Sequence, residues 1–243
     1  MLGGIAKAAN HDGGRLAFGP DGYLYVTTGD AGDRPSAQDR ASLNGKILRV
    51  TRDGTPAPGN PFDGSPVWSL GHRNVQGLGW DSSGRMFASE FGQDTWDELN
   101  EIVRGGNYGW PEVEGAGQGT PDAVPGGGPV VVDGFVQPLV VWPTSDASPS
   151  GLAVTDEAVY LAALRGQRLW RVPWAPPSAS VAATAGGPRT LGEPQALLTG
   201  EGRLRAVVAD RDGSLWVLTN NTDGRGTPGP DDDRLLHVRV AGG

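Results

Sequence analysis

Of the three histidines in the chain, His11 is the one whose neighbours indicate chemistry. It lies in the segment Asn10-His-Asp-Gly-Gly-Arg15, directly before an apolar run that begins at Leu16. An imidazole can act as a general base near neutral pH, and a carboxylate such as that of Asp30 could orient it. The alternatives are a loop histidine that bonds only backbone groups and an ordinary turn aspartate.

A second polar cluster is the segment Gly71-His-Arg-Asn-Val-Gln-Gly77. Arg73, Asn74 and Gln76 together form a donor-rich set that suits carboxylates and carbonyls. A solvated loop is the alternative interpretation of this segment.

Candidate cation ligands follow the second hairpin, in residues 90–98. Main-chain carbonyls there, with Asp94 and Asp97 nearby, could hold a hard cation such as Ca²⁺, although the spacing is not that of an EF-hand. The acidic segments 220–224 and 231–233 could also bind a cation, but a solvated acidic loop explains them more simply.

Arginines recur near the starts of successive units of the chain. Arg73, Arg165, Arg203 and Arg205 all fall in predicted loops or strand ends. Such a set, if it converges, suits an anionic ligand that carries carboxylates. Solvated strand edges are the alternative.

The elements that would position these residues form a repeat. Segments 16–26, 78–88, 152–162 and 207–217 each contain a short apolar strand, a polar turn and a second strand. Three of the turns contain Asp and Gly, a strong hairpin signal. A third strand follows each hairpin, at 46–50, 98–103, 168–172 and 234–240.

This repeat predicts an all-β protein with a β-propeller fold. A β-sandwich would not explain the recurring unit. We expect one domain over residues 1–243, with blades near 10–60, 66–112, 138–175 and 195–241 and insertions at 115–137 and 174–194. About four blades are expected, either as a compact ring or as part of a larger one.

Composition excludes several functional classes. The net charge of −8 argues against nucleic-acid binding, and the absence of cysteine excludes disulfides and thiolate metal sites. No apolar run is long enough to predict a membrane span. The first residues, Met1-Leu-Gly-Gly4, do not have the pattern of a signal peptide.

Six motifs, in order, resemble the soluble PQQ-dependent glucose/sorbosone (aldose sugar) dehydrogenase family. They are His11-Asp-Gly-Gly-Arg15, Phe18-Gly-Pro-Asp-Gly-Tyr-Leu-Tyr25, Leu43-Asn-Gly-Lys-Ile-Leu-Arg49, Gly71-His-Arg-Asn-Val-Gln-Gly77, Asp97-Glu-Leu-Asn100 and Asn107-Tyr-Gly-Trp-Pro111. The resemblance spans about residues 10–240.

The resemblance implies a six-bladed propeller that oxidises the C1 hydroxyl of aldoses to lactones with pyrroloquinoline quinone (PQQ) and Ca²⁺. It implies that His11 is the base, that Asp30 orients it, and that Arg73 polarises the reacting carbonyl of the cofactor. The remaining implied cofactor contacts are Asn74, Gln76, Trp142, Thr144, Arg165, Arg203 and Arg205, and the implied metal ligands are the carbonyls of Gly92 and Gln93.

The resemblance also implies an aldose substrate, an external electron acceptor and a location outside the cytoplasm. About two N-terminal blades of the family pattern are absent from this sequence, so we expect a truncated propeller with an unpaired edge. Two other functions stay open at this point: a Ca²⁺-dependent propeller lactonase and a non-catalytic binding propeller.

Overall fold

The computed structural model describes residues 1–115, 129–175 and 189–240. Within these ranges the regular structure consists of β-strands and one 3-10 helical turn, Arg34–Ala37. The predicted all-β class is therefore confirmed. No helix in the described part of the chain is long and apolar enough to cross a membrane.

The first two sheets are antiparallel and have four strands each. Sheet 1 contains, in spatial order, β1 (Gly13–Phe18), β2 (Leu24–Thr28), β3 (Lys46–Val50) and β4 (Val67–Leu70). Sheet 2 begins with β5 (Val75–Trp80), β6 (Met86–Glu90) and β7 (Trp96–Ile102). The small hairpin of β8 (Val131–Val132) and β9 (Phe135–Val136) follows, and then β10 (Val140–Pro143) completes sheet 2 beside β7.

The next two sheets continue the pattern. Sheet 3 contains β11 (Pro149–Val154), β12 (Ala158–Ala163), β13 (Arg168–Pro173) and β14 (Gln195–Leu197). Sheet 4 has three strands, β15 (Leu204–Ala209), β16 (Leu215–Thr219) and β17 (Leu235–Val238). The four predicted hairpins correspond to the first two strands of the four sheets.

The sheets differ from the predicted blades in where they begin and end. Residues 67–70 pair with β3, so they belong to sheet 1 and not to the unit predicted over 66–112. Residues 140–143 pair with β7 and complete sheet 2, although the sequence placed them in the third unit. In both cases a ladder of backbone hydrogen bonds to the preceding strands decides the assignment. Of the two predicted insertions, residues 116–128 and 176–188 lie outside the described residues.

The hairpin turns show why Asp and Gly recur. Asp81 Oδ1 accepts hydrogen bonds from Ser83 N and Arg85 N, both at 2.9 Å, and Gly84 adopts a φ of 88°. A short acidic side chain thus replaces a backbone acceptor in the turn, and glycine takes the left-handed conformation. In the turn of sheet 4, Asp212 Oδ1 accepts from Ser214 N at 3.0 Å, and Gly213 adopts a φ of 83°.

The inner strands β1, β5, β11 and β15 pack side by side, as in consecutive propeller blades. A Cβ atom at Gly77 would lie 2.6 Å from Ser150 O, and one at Gly151 would lie 2.8 Å from the Ala206 Cα. Glycine is therefore needed where neighbouring inner strands approach most closely.

Each inner strand also has a β-bulge near its beginning. The pairing register shifts between Gly13 and Leu16, between Val75 and Gly77, between Pro149 and Leu152, and between Leu204 and Ala206. A bulge re-aims the side chain at the extra residue and is common beside functional sites. The bulged positions include Arg15, Gln76, Ser150 and Arg205.

Three hydrophobic clusters fill the spaces between successive sheets. Tyr25 and Leu78 lie in the cluster between sheets 1 and 2, and Phe87 and Val159 in the cluster between sheets 2 and 3. The third cluster joins sheets 3 and 4 and contains Leu215. Each sheet thus buries a face against its neighbour, and this packing fixes the relative positions of the inner strands.

A buried cation supports the long connection between β2 and β3. Lys46 is fully buried, and its Nζ donates to the carbonyl oxygens of Ser36, Ala37 and Asn44 at 2.7–2.9 Å. Asn44 Nδ2 in turn donates to Gly29 O at 3.0 Å. The connection that follows Asp30 is therefore anchored from inside the sheet.

We expect Lys46→Met to destabilise the protein by about 2–4 kcal/mol, because it removes a donor from three buried carbonyls, and those of Ser36 and Asn44 have no other donor among the described residues. Chemical unfolding at pH 7 would measure this loss. Lys7→Met, at an exposed position, is the matched control and should change the free energy of unfolding by less than about 0.5 kcal/mol. Equal stability of the two variants would contradict the prediction.

Candidate active site

His11 and Asp30 form a pair at one end of sheet 1. His11 Nδ1 lies 2.9 Å from Asp30 Oδ1, and the Asp30 side chain is fully buried. The His11 backbone has a φ of 60°, and its carbonyl oxygen accepts a hydrogen bond from Ala31 N at 3.0 Å. A side chain at Gly29 would collide with this carbonyl, so the close approach of the two segments requires glycine.

Two further donors hold the Asp30 carboxylate. Gly32 N donates to Oδ1 and Trp110 Nε1 donates to Oδ2, each at 2.8 Å. A buried carboxylate is stable only with such hydrogen bonds. Because the carboxylate accepts from His11 Nδ1, the lone pair of the neutral imidazole resides on Nε2. The arrangement is that of an oriented general base.

The second predicted cluster lies against this pair. Asp30 N donates to Arg73 O at 2.9 Å, which joins the end of β2 to the segment before β5. Asn74 Oδ1 accepts from Gly13 N at 3.1 Å and from Gln76 Nε2 at 2.9 Å. The structure therefore brings together the predicted residues from sheets 1 and 2.

Arg73 is the central cation of this cluster. Its Nε and Nη2 donate to Gln93 Oε1 at 3.0 and 2.7 Å, and its guanidinium lies 5.4 Å from the centre of the Trp110 ring. Burial lowers the pKa of Arg73, and nearby carboxylates oppose this effect. Those carboxylates belong to Asp30, Glu90, Glu114 and Asp97.

Glu90 fixes the backbone that carries Arg73. Its carboxylate accepts hydrogen bonds from the backbone N–H of Arg73 and, at 3.3 Å, from that of Asn74. The other carboxylate oxygen lies 2.8 Å from His72 Nδ1, while His72 Nε2 lies 2.8 Å from Ser69 Oγ. His72 is fully buried with both ring nitrogens engaged, so its role is structural.

Two bulged arginines add positive charge at the inner strands. Arg15 Nε donates to Gln76 O at 3.0 Å, and Arg205 occupies the corresponding bulge of β15. Burial, and then the like charge of Arg205, lower the pKa of Arg15. Two arginines that repel each other in this way favour an anion between or beside them.

The other predicted arginines are placed differently. Arg203 is buried and pairs with Asp223, its Nη2 lying 2.9 Å from Asp223 Oδ2. Arg165 is exposed in the turn between β12 and β13. Contact of either residue with a cofactor stays a prediction.

The loop predicted to bind a metal, residues 90–98 (the metal loop), is held by many hydrogen bonds. Gly92 N donates to Asp97 Oδ1 at 2.9 Å, and the next four backbone N–H groups, of residues 93–96, donate to Glu114 Oε1 at 2.8–3.0 Å. The carbonyls of Gly92 and Gln93 accept no hydrogen bond from the described residues. Both carbonyls are therefore free to act as ligands.

Trp142 and Thr144 do not lie with the His11 cluster. Trp142 is 4% exposed within the hydrophobic cluster between sheets 2 and 3, where its ring centre lies 5.7 Å from that of Trp170. Thr144 instead holds the metal loop: its N and Oγ1 donate to the carbonyls of Thr95 and Asp94 at 3.1 and 3.2 Å. Their predicted cofactor contacts stay predictions.

Two more carboxylates are buried behind the loop. Burial raises the pKa of Asp97 to about 6, despite hydrogen bonds from Gly92 N and Ser148 N. Burial, and then the negative charge of Glu90, raise the pKa of Glu98 to about 8. Protonation of Glu98 would remove the like-charge repulsion between it and Glu90.

Sequence reasoning missed four side chains that shape the site: Trp110, Glu90, Glu114 and Arg15. Trp110 is part of the motif Asn107-Tyr-Gly-Trp-Pro111, and its position in that motif was the available signal. Arg15 was visible in the first motif, but the bulge that turns it could not be read from the sequence.

The chain matches a known protein family. The model of the glucose/sorbosone dehydrogenase family matches residues 4–230. Aldose sugar dehydrogenase YliI of Escherichia coli is 31% identical over 90% of this chain and 59% of its own length. Quinoprotein glucose dehydrogenase B of Acinetobacter calcoaceticus is 39% identical over 47% of this chain and 29% of its own length.

A solved structure is also similar over nearly the whole chain. The PQQ-bound aldose sugar dehydrogenase of Streptomyces coelicolor is 54% identical, with a TM-score of 0.83 over 96% of this chain and 63% of that one. The chain thus spans less than two thirds of the length of each of these three relatives. On the family match and these similarities, the chain belongs to the glucose/sorbosone dehydrogenase family.

Proposed function

We propose that this protein oxidises the C1 hydroxyl of aldose sugars to lactones with PQQ as the redox cofactor. The observation that supports this proposal is the hydrogen-bonded His11–Asp30 pair. This pair lies directly against the segment that contains Arg73, Asn74 and Gln76. An oriented, half-buried base beside a buried cation is the arrangement that an alcohol oxidation needs.

The residues present fit a quinone that carries three carboxylates. Arg15 and Arg205 lie in bulges of β1 and β15, and their mutual repulsion would be relieved by a bound carboxylate. Arg73, Asn74 and Gln76 supply further donors from sheet 2. Three of the four bulges thus carry Arg or Gln. A Ca²⁺-dependent lactonase would instead need acidic side chains to hold its calcium ion.

A calcium ion fits the metal loop through main-chain oxygens. The free carbonyls of Gly92 and Gln93 are hard ligands of the type that Ca²⁺ prefers. Among residues 1–115, 129–175 and 189–240, no group of three or more His, Asp or Glu side chains is arranged to hold a metal. The carbonyls of Gly92 and Gln93 are therefore the groups of this chain that would hold a calcium ion at this loop.

The side chains divide the work as follows. His11 Nε2 accepts the proton of the C1 hydroxyl, and Asp30 stabilises the resulting imidazolium through Nδ1. Bound PQQ supplies a two-electron acceptor for the C1 hydride. Arg73 offers positive charge for the negative charge that develops during the transfer. An external electron acceptor and a location outside the cytoplasm complete the proposal.

We also propose that the four sheets are part of a six-bladed ring. Four blades of six are two thirds, close to the 63% of the Streptomyces structure that the chain covers. Apolar side chains are exposed on β1, at Leu16 and Phe18, and on sheet 4, at Val208 and Leu235. Further sheets packed against these faces would bury them.

Replacement of the proposed base should abolish catalysis while cofactor binding persists. We expect His11→Ala to lower kcat for sugar-dependent dye reduction by about 10²–10⁴-fold, the usual contribution of a general base. Purified protein reconstituted with PQQ and Ca²⁺ is assayed with an aldose and an electron-accepting dye, and PQQ binding is followed by absorbance.

His237→Ala is the matched control for this experiment. His237 is stacked on Trp216 in sheet 4, so its loss should leave kcat unchanged. Unchanged turnover in His11→Ala would refute the assigned role of the base. Failure of the wild-type protein to oxidise any aldose in the presence of both cofactors would refute the proposed function.

Loss of a bulged arginine should weaken PQQ binding. We expect Arg205→Gln to raise the Kd for PQQ by about 10–100-fold, because it removes one charge-assisted contact to a carboxylate. Arg211→Gln, in the exposed turn between β15 and β16, is the control and should leave the Kd unchanged. Titration of each protein with PQQ measures the effect, and equal Kd values would show that Arg205 does not contact the cofactor.

A further inference from the structure

Glu114 is the centre of an unusual set of hydrogen bonds. One carboxylate oxygen, Oε1, accepts from the backbone N–H groups of residues 93, 94, 95 and 96 at 2.8, 3.0, 2.8 and 3.0 Å. Successive N–H groups that converge on one anion form a nest, a concave site with the donors on the inside. The loop between β6 and β7 is therefore wrapped around this side chain.

The nest determines where the carbonyls of the loop can point. Because the N–H groups of four successive residues are directed towards Glu114, the peptide carbonyls beside them are directed away from it. The Asp94 and Thr95 carbonyls accept hydrogen bonds from Thr144. Those of Gly92 and Gln93 are left without a donor among the described residues.

Other contacts clamp the same loop from different sides. Asp97 Oδ1 accepts from Gly92 N, and the Gln93 side chain accepts two hydrogen bonds from Arg73. At Gly92 a Cβ atom would collide with the Trp96 carbonyl, so the tight turn needs glycine. Glu114 alone, however, contacts four of the backbone amides.

We propose that Glu114 is a positioning residue for the cation: its carboxylate holds residues 92–96 so that the Gly92 and Gln93 carbonyls present a preformed pair of oxygen ligands. This inference rests on the proposed function, because the cation is the one assigned there. Glu114 itself does not bind the ion. Without the carboxylate the loop loses four hydrogen bonds, and the two carbonyls must be ordered when the cation binds, which lowers the affinity.

The first measurement is made on the cofactor-free protein. In Glu114→Ala, amide hydrogen exchange of residues 93–96 should become at least about 10-fold faster than in the wild type, since these amides lose their acceptor. Glu112→Ala is the matched control, because Glu112 is exposed and two residues away. It should exchange like the wild type.

The second measurement is calorimetric titration with Ca²⁺ alone and, separately, with PQQ in the absence of Ca²⁺. We expect Glu114→Ala to weaken Ca²⁺ binding by at least about 10-fold, the loss of roughly one charge-assisted hydrogen bond in affinity terms. PQQ binding without Ca²⁺ should be unchanged. Glu114→Gln, which keeps an acceptor oxygen without the charge, should fall between the wild type and the alanine variant, and it replaces that variant if alanine prevents folding.

The outcomes separate this inference from the function on which it rests. Equal Ca²⁺ affinity in the wild type, Glu114→Ala and Glu112→Ala overturns the inference alone, as does unchanged exchange at residues 93–96. Failure of the wild type to bind Ca²⁺ overturns the inference together with the metal assignment. Loss of PQQ binding and Ca²⁺ binding in equal measure would also overturn it, because it would show a general structural role.

Discussion

The site depends on one buried carboxylate, that of Asp30. Its two oxygens accept from His11, Gly32 and Trp110, so a single charge ties the segment before β1, the end of β2 and the segment after β7. A carboxylate with no exposed surface would be costly without these donors. The same hydrogen bonds that offset this cost fix the tautomer and direction of His11. The hydrogen bonds that stabilise the buried Asp30 carboxylate are therefore the same ones that orient His11.

Opposite charges around Arg73 extend this arrangement. Four carboxylates, those of Asp30, Glu90, Asp97 and Glu114, act on the guanidinium, and all four also accept hydrogen bonds from backbone amides. Glu90 holds the segment that carries Arg73, and Glu114 holds the loop that contains Gln93. These carboxylates are thus engaged with the protein's own backbone. Arg15 and Arg205 instead occupy bulges of β1 and β15, and burial, followed by the like charge of Arg205, lowers the pKa of Arg15. Positive charge held close together in a protein of net charge −8 supports the proposal that an anion binds there.

The sequence predicted the parts of the molecule that follow from local chemistry. Asp-Gly turns identified the hairpins, because acidic side chains and left-handed glycines close tight turns. The position of Asp30 at the end of the same hairpin suggested it as the partner of His11, and the family resemblance implied the same role. What could not be predicted depends on contacts distant in sequence: β10 pairs with β7 across a long connection, Trp142 enters a core, and Glu114 reaches back about twenty residues to hold the metal loop.

The four inner strands share the same β-bulge but carry different side chains at it. Every inner strand has an extra residue near its beginning, so the backbone device is common to all four sheets. Strands β1, β5 and β15 place Arg15, Gln76 and Arg205 there. Strand β11 instead has Ser150 and Gly151 there, and a Cβ atom at Gly151 would lie 2.8 Å from the Ala206 Cα. Close packing of the inner strands therefore excludes a side chain at Gly151, and the proposed ligand site takes its side chains from the other three bulges.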